Sequence, residues 1–211
     1  RVIAVSGQKR NGKDELANYL APKLNFGRAS FAEPVKRIYC ETFGVDIAFI
    51  DKWKDIPEPP PGMDMNVRKG LQFIGDGFRT IKSDIWVDLA FRKKENYLYK
   101  IFSDGRYVNE AKKTKQEKGF NFLVYRAGFL NDDENKIEAE IRPFVEWCNK
   151  TGEEGLIKEF RDFQSLKYDN FSKKIKNYDY FIKNEGTVKD FQNKIDNVVI
   201  PFLKENYEIN L

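Results

Sequence analysis

The stretch GQKRNGKDE, residues 7–15, follows an apolar run and combines two glycines, a lysine and two acids in a spacing suited to binding a polyanion. Gly7 permits a tight exit from a strand, and Gly12 lets backbone N–H groups approach phosphate oxygens. A helix opening at Lys13 points the positive end of its dipole at them. Lys13 adds a full charge for the β- and γ-phosphates of a nucleoside triphosphate. Such loops usually follow Gly-Lys with a serine or threonine that holds magnesium, and here Asp14 stands in that place. A lone carboxylate is repelled by a triphosphate, but with Mg²⁺ between them it becomes a hard oxygen ligand. The alternative is a first-turn acid that merely caps the helix.

The chain has no histidine. That excludes Ser-His-Asp and Cys-His nucleophiles and every His-ligated metal site. Phosphoryl transfer onto another phosphate survives the exclusion, because the attacking oxygen is already anionic near neutral pH. Such a reaction asks for positioning and charge neutralisation by Lys, Arg and a magnesium-holding acid. Asp104 ends a predicted strand, where its carboxylate would reach magnesium through water or would simply turn the chain before Gly105. Arg106 and Arg126 are placed to meet phosphate as clamps or transition-state stabilisers, or else to form surface ion pairs.

These residues need a frame. A chain of 211 residues with 41% hydrophobic and 15% aromatic residues fits one domain, or one domain with a large insertion. Residues 2–6 read as a buried strand and 13–24 as an amphipathic helix. Further strands are expected at 27–31, 97–104, 120–126 and 178–184. Helices are expected at 33–44, 66–80, 84–95 and 107–118, and a final one capped by Thr187, with Pro201 kinking or ending it. Residues 55–64, with three consecutive prolines, read as an extended loop. The alternation predicts an α/β fold with a mainly parallel five-stranded sheet and helices on both faces. Ligands gather at the carboxyl ends of such strands, and Gly7, Asp104, Arg126 and Asn184 all fall just past them. Residues 127–177 break the alternation and read as an inserted lid.

The net charge of +4 favours anionic ligands without reaching the balance of a dedicated nucleic-acid binder. Lysine runs at 112–118 and 173–176 read as solvated faces, or alternatively as a track for a DNA backbone. Cys40 and Cys148 match no zinc or redox spacing and read as reduced cytosolic thiols. Nothing in the sequence has the length of an apolar membrane span, and no secretory leader is expected. The chain opens on Arg1 rather than Met, which leaves room for preceding residues.

The motifs together are more specific than the loop alone. GQKRNGKD resembles the phosphate loop of the bacteriophage deoxynucleoside monophosphate kinases, in which an acid after Gly-Lys is usual; Glu15 replaces an expected threonine. FAEPVK (31–36), VRKGLQFIGDGFRTIKSDIWVD (67–88), FSDGRYVNEA (102–111) and DYFIKNEGTVKDF (179–191) resemble further segments of that family. The resemblance implies a P-loop NTPase-type three-layer sandwich comprising one kinase domain over 1–211. An acceptor-binding insertion would span about 45–95 and a lid about 127–177. ATP and Mg²⁺ would be the cofactors. ATP would contact Gly7, Lys9, Arg10, Asn11, Gly12, Lys13, Asp14 and Glu15, with Asn184 and Gly186 passing the adenine. Asp14 and Asp104 would hold the metal, and Lys13, Asp104, Arg106 and Arg126 would be catalytic. Arg68 and Arg79 would receive the monophosphate, and Gln72, Asp76 and Phe78 the sugar or base, although Phe78 also suits core packing. The family further implies a homodimer in bacterial host cytoplasm. An alternative acceptor is a hydroxyl on a modified base in DNA, which would require Asp76 or Asp104 as general base. A third reading is a non-catalytic nucleotide-binding module.

Overall fold

The computed structural model describes residues 1–92, 99–126, 142–152, 154–156 and 176–207. The chain forms two compact units, Arg1–Ala29 with Glu95–Leu211, and Ser30–Lys94.

The first unit is built on a sheet of β1 (Val2–Ser6), β2 (Gly27–Ala29), β3 (Lys100–Gly105), β4 (Phe120–Arg126), β5 (Gly155–Leu156) and β6 (Tyr180–Asn184), in the order β2-β3-β1-β4-β6-β5. Five strands are parallel, as expected, and the short β5 adds an antiparallel edge against β6. β1 is central, and its exit is therefore flanked by the carboxyl ends of both β3 and β4.

Alternating strand residues feed two cores. Ile3, Val5, Phe122, Val124 and Ile182 pack with Leu16, Ala17 and Leu20 of α1 (Lys13–Lys23) and with Phe191, Ile195, Val199 and Leu203 near the C-terminus. Leu123, Tyr125 and Phe181 project to the opposite face. There they meet Ala111 of α6 (Val108–Gln116) and Phe144, Val145, Trp147 and Cys148 of α7 (Arg142–Thr151). The period of two in the strands thus makes a three-layer sandwich. Helix α7 falls within the segment read as a lid, yet its apolar side covers the sheet. Residues 127–141, 153 and 157–175 of that segment, and the lysine run at 173–175, lie outside the described residues.

The C-terminal helix does not end at Pro201. Thr187 caps α8 (Val188–Lys194) in a reciprocal box with Asp190, as its residue type suggests. A π-helical turn, Ile195–Val199, then leads into α9 (Ile200–Tyr207), which continues through the proline. A widened turn just ahead of a residue without an N–H lets the helix pass instead of stopping.

The second unit is helical. Its helices are α2 (Glu33–Phe43), α3 (Ile47–Trp53), α4 (Val67–Ile81) and α5 (Ile85–Arg92). Asp46 and Asn66 cap α3 and α4 by accepting from Phe49 N and Lys69 N. The unit includes α2 because Tyr39 packs with Ile50 and Val67 in one core. Gly70 admits that ring: a Cβ there would lie 2.8 Å from Tyr39 Cε2. Among the described residues, no helix is long and apolar enough to cross a membrane.

Candidate phosphate-binding site

The loop between β1 and α1 is braced from within and by neighbouring strands. Gln8, Asn11 and Lys13 are buried although they are polar. Lys13 Nζ donates to Gln8 O at 2.8 Å, and Asn11 N donates to the same carbonyl at 3.2 Å. Those two bonds close residues 8–13 into a ring. Arg10 takes φ 67°, a left-handed conformation that costs a residue bearing a Cβ about 1–2 kcal/mol.

Both glycines answer to neighbouring strands. A Cβ on Gly7 (φ 154°) would stand 2.4 Å from the backbone oxygen of Val124 on β4. One on Gly12 (φ 98°) would stand 2.3 Å from Asn184 Nδ2 at the end of β6. Asn184 Nδ2 itself donates to Asn11 O at 3.0 Å. Gly12 is also the N-cap of α1, so the first-turn amides receive no side-chain acceptor from the cap residue. A helix start of this kind favours an anion through its dipole and amides.

Oxygen donors converge beside the loop. Ser103 Oγ donates to Asp14 Oδ1 at 2.7 Å, and Arg28 Nη2 donates to Ser103 Oγ at 2.6 Å. Arg28 Nη2 lies 3.8 Å from Asp14 Oδ1. Desolvation lowers the Arg28 pKa, while the charges of Asp14 and Asp104 oppose that shift.

A bulge positions this corner. Between Ala4 and Ser6 the β3 partners run from Phe102 to Gly105, so β3 carries one extra residue there. Gly105 is required by the close approach, because a Cβ would lie 2.5 Å from Ser6 Oγ. The hydroxyl of Ser103 and the carboxylates of Asp14 and Asp104 are hard oxygens of the type magnesium takes. Ser103 and Asp14, 2.7 Å apart, are the oxygens that could accompany a phosphate tail and its cation beside Lys13 and the first turn of α1; among the described residues no group of three or more acids is gathered there.

Glu15 is engaged elsewhere. Its Oε1 accepts from Gln192 Nε2 at 2.7 Å, which ties α1 to α8. Asp14 therefore faces the β3 end while Glu15 faces the C-terminal helix.

No family model matches the chain. A protein of Acanthamoeba polyphaga mimivirus described as "Putative deoxynucleotide monophosphate kinase" is 30% identical over 175 residues, covering 72% of this chain and 91% of that protein. The chain belongs to the same family of P-loop nucleotide kinases. Among solved structures, shikimate kinase from Aquifex aeolicus is similar at 14% identity and a TM-score of 0.45, with 98% of each chain covered. Dephospho-CoA kinase from Campylobacter jejuni is similar at 16% identity and a TM-score of 0.42, with 97% of this chain and 98% of that one covered.

The remaining residues of this nucleotide kinase can now be placed. Arg126 is exposed at the end of β4, in register with Asn184 of β6. The backbone N–H groups of Arg106 and Tyr107 both donate to the buried Glu110 carboxylate, at 2.6 and 2.9 Å. That arrangement fixes the chain leaving β3 and with it the base of the Arg106 side chain. Lys9 is partly buried in the loop. Gly186 turns at φ 75° immediately before the Thr187 cap.

The acceptor-side candidates Arg68, Gln72, Asp76, Phe78 and Arg79 all lie on α4 of the helical unit. Arg68, Gln72 and Arg79 share one stripe with Gly75, at the i, i+4, i+7, i+11 spacing. Arg68 pairs with Asp55 of the proline-rich loop, and Arg79 Nη1 with Asp76 Oδ1 at 3.2 Å. Phe78 is 40% exposed and sits 5.4 Å from the Trp86 ring. Trp86 is buried and donates to Gly75 O at 2.8 Å.

Sequence reasoning missed Arg28 and Ser103. The only signal for Ser103 was its place just before Asp104. Arg28 gave none, because its position depends on β2 lying beside β3.

Proposed function

We propose that this kinase transfers the γ-phosphoryl group of ATP to a deoxynucleoside monophosphate, giving the diphosphate, with Mg²⁺ as the cation. The observation that carries the reading is the double-glycine loop of residues 7–13, with Gln8, Asn11 and Lys13 buried, opening onto a helix N-terminus, with Asp14 turned towards the end of β3. The family relationship supports the reaction class.

Lys13 would exchange its contact with Gln8 O for phosphate oxygens, bringing a full charge to the group in flight. The first-turn amides of α1 would hold the phosphate tail in place. Asp14, Ser103 and Asp104 would hold magnesium, whose charge offsets that of the phosphates when it is bound. Arg126 and Arg106 would contribute charge late, on the transferred group. On α4, Arg68 and Arg79 would take the acceptor phosphate as bidentate guanidinium groups, replacing Asp55 and Asp76 as partners. The acceptor oxygen is an anion, so the chemistry requires no general base.

Incubation with ATP, Mg²⁺ and each of the four deoxynucleoside monophosphates should yield a diphosphate from at least one. Label that passes instead to polymeric DNA would favour the hydroxyl acceptor. ATP binding without turnover on any acceptor would favour a binding module and overturn the proposal.

A further inference from the structure

Arg28 is unusual in its location. It comes from a three-residue edge strand and keeps 35% of its side-chain surface, yet its guanidinium reaches the cluster at the end of β3. It donates to Ser103 Oγ, and the same hydroxyl donates onward to Asp14 Oδ1. Ser103 is buried, which fixes the relay. Arg28 Nη2 also stands 3.8 Å from Asp14 Oδ1, and the Asp104 charge acts on the same guanidinium.

We propose that Arg28 is a built-in counter-ion to Asp14, which it holds through Ser103, and that it makes divalent-cation binding depend on the nucleotide's own charge. This rests on the reading of Asp14 as an acid that holds magnesium. The physical argument is one of shared charge. A carboxylate as exposed as Asp14 would attract a divalent cation, and a guanidinium 3.8 Å away opposes that attraction. In the nucleotide-free protein Arg28 already supplies the positive charge. A divalent ion arriving alone would meet a guanidinium within a few ångströms and gain little. With a triphosphate present, the added negative charge restores the attraction, so the metal enters as the nucleotide complex. Arg28 is therefore a positioning residue: it acts through Ser103 and through its field and does not touch the reacting atoms.

The test uses Mn²⁺ alone, titrated into the nucleotide-free protein and followed by electron paramagnetic resonance. Arg28→Gln should tighten Mn²⁺ binding by about tenfold or more, since a like charge close by is removed. Arg28→Lys, which keeps the charge, should stay near the unaltered protein. A purely structural role for Arg28 predicts weaker binding in Arg28→Gln, or none. That result would overturn the counter-ion role. The metal assignment is read separately, with Mn²⁺ and a non-hydrolysable ATP analogue together: Asp14→Asn weakening that binding leaves it standing, and Asp14→Asn leaving it unchanged removes it and the inference with it. Should Arg28→Gln fold poorly, Arg28→Met provides the second arm. It removes the charge while keeping a long side chain, so Mn²⁺ binding should again tighten; unchanged or weaker binding would overturn the proposal.

Discussion

Lys13 of the loop unit and the arginines of α4 are held in opposite ways. Lys13 is buried and bonded to a backbone carbonyl, in a loop braced by strands from distant parts of the chain: Val124 O against Gly7, Asn184 against Gly12, and Ser103 against an Asp14 that itself keeps 76% of its side-chain surface. On α4, the arginines are held by carboxylates that are largely exposed, Asp55 at 64% and Asp76 at 69% of their side-chain surface. Surface pairs of that kind contribute about 0–1 kcal/mol and give way readily to a better anion. The comparison suggests a division of labour. On the proposed reading, the donor side is preorganised and intolerant of change, whereas the acceptor side would exchange partners when its substrate arrives.

The largest expected effect is on catalysis. Lys13→Met should lower kcat by about 10²–10³-fold or more while leaving the protein folded, as judged by its melting curve. Retained turnover would mean that the ring of residues 8–13 is structural only. Next come the glycines. Gly7→Ala should cost about 2–4 kcal/mol in denaturant unfolding, because its Cβ meets a backbone oxygen that cannot move aside. Gly12→Ala should cost less, and the Asn184→Ala background should soften it, because the group in the way there is a side chain. Equal, additive costs at the two glycines would contradict the geometry.

Asn184→Ala alone removes one hydrogen bond to the loop and should cost about 1 kcal/mol. Its sharper readout is a raised KM for ATP, with the monophosphate KM unchanged. The smallest effect belongs to the helical unit. Asp55→Ala should leave stability within about 0.5 kcal/mol and lower the monophosphate KM, since Arg68 loses a competing carboxylate. A raised KM would show that Asp55 helps bind the acceptor.

The acid limb of stability has a legible sign at the end of the chain. Asp190 has its pKa lowered by the Thr187 hydroxyl and backbone N–H. A depressed carboxylate contributes fully above the ordinary carboxylate range and loses its contribution as pH falls through the lowered value. Thr187→Ala should therefore flatten the unfolding profile at acid pH.

How legible each region was from sequence follows from the range of its contacts. The phosphate loop, the strand–helix alternation and the Thr187 cap are local patterns, and spacing alone reveals them. Glu15 was read with its neighbours in the loop, but its partner Gln192 is 177 residues away. Arg28 could not be read, because only the sheet order β2-β3-β1 brings it to Ser103. Helix α3 has seven residues, too few for a period to show. The place of α2 in the helical unit depends on Tyr39 meeting Ile50 and Val67, a core that no window of neighbouring residues contains.

The central claim is that residues 7–14 embrace the tail of a nucleoside triphosphate. Backbone amide NMR on the ¹⁵N-labelled protein, titrated with a non-hydrolysable ATP analogue and Mg²⁺, tests it most directly. The account predicts that the largest shifts fall on Gly12, Lys13 and Asp14, with Asn184 following. Saturable binding that leaves those amides unmoved would contradict it.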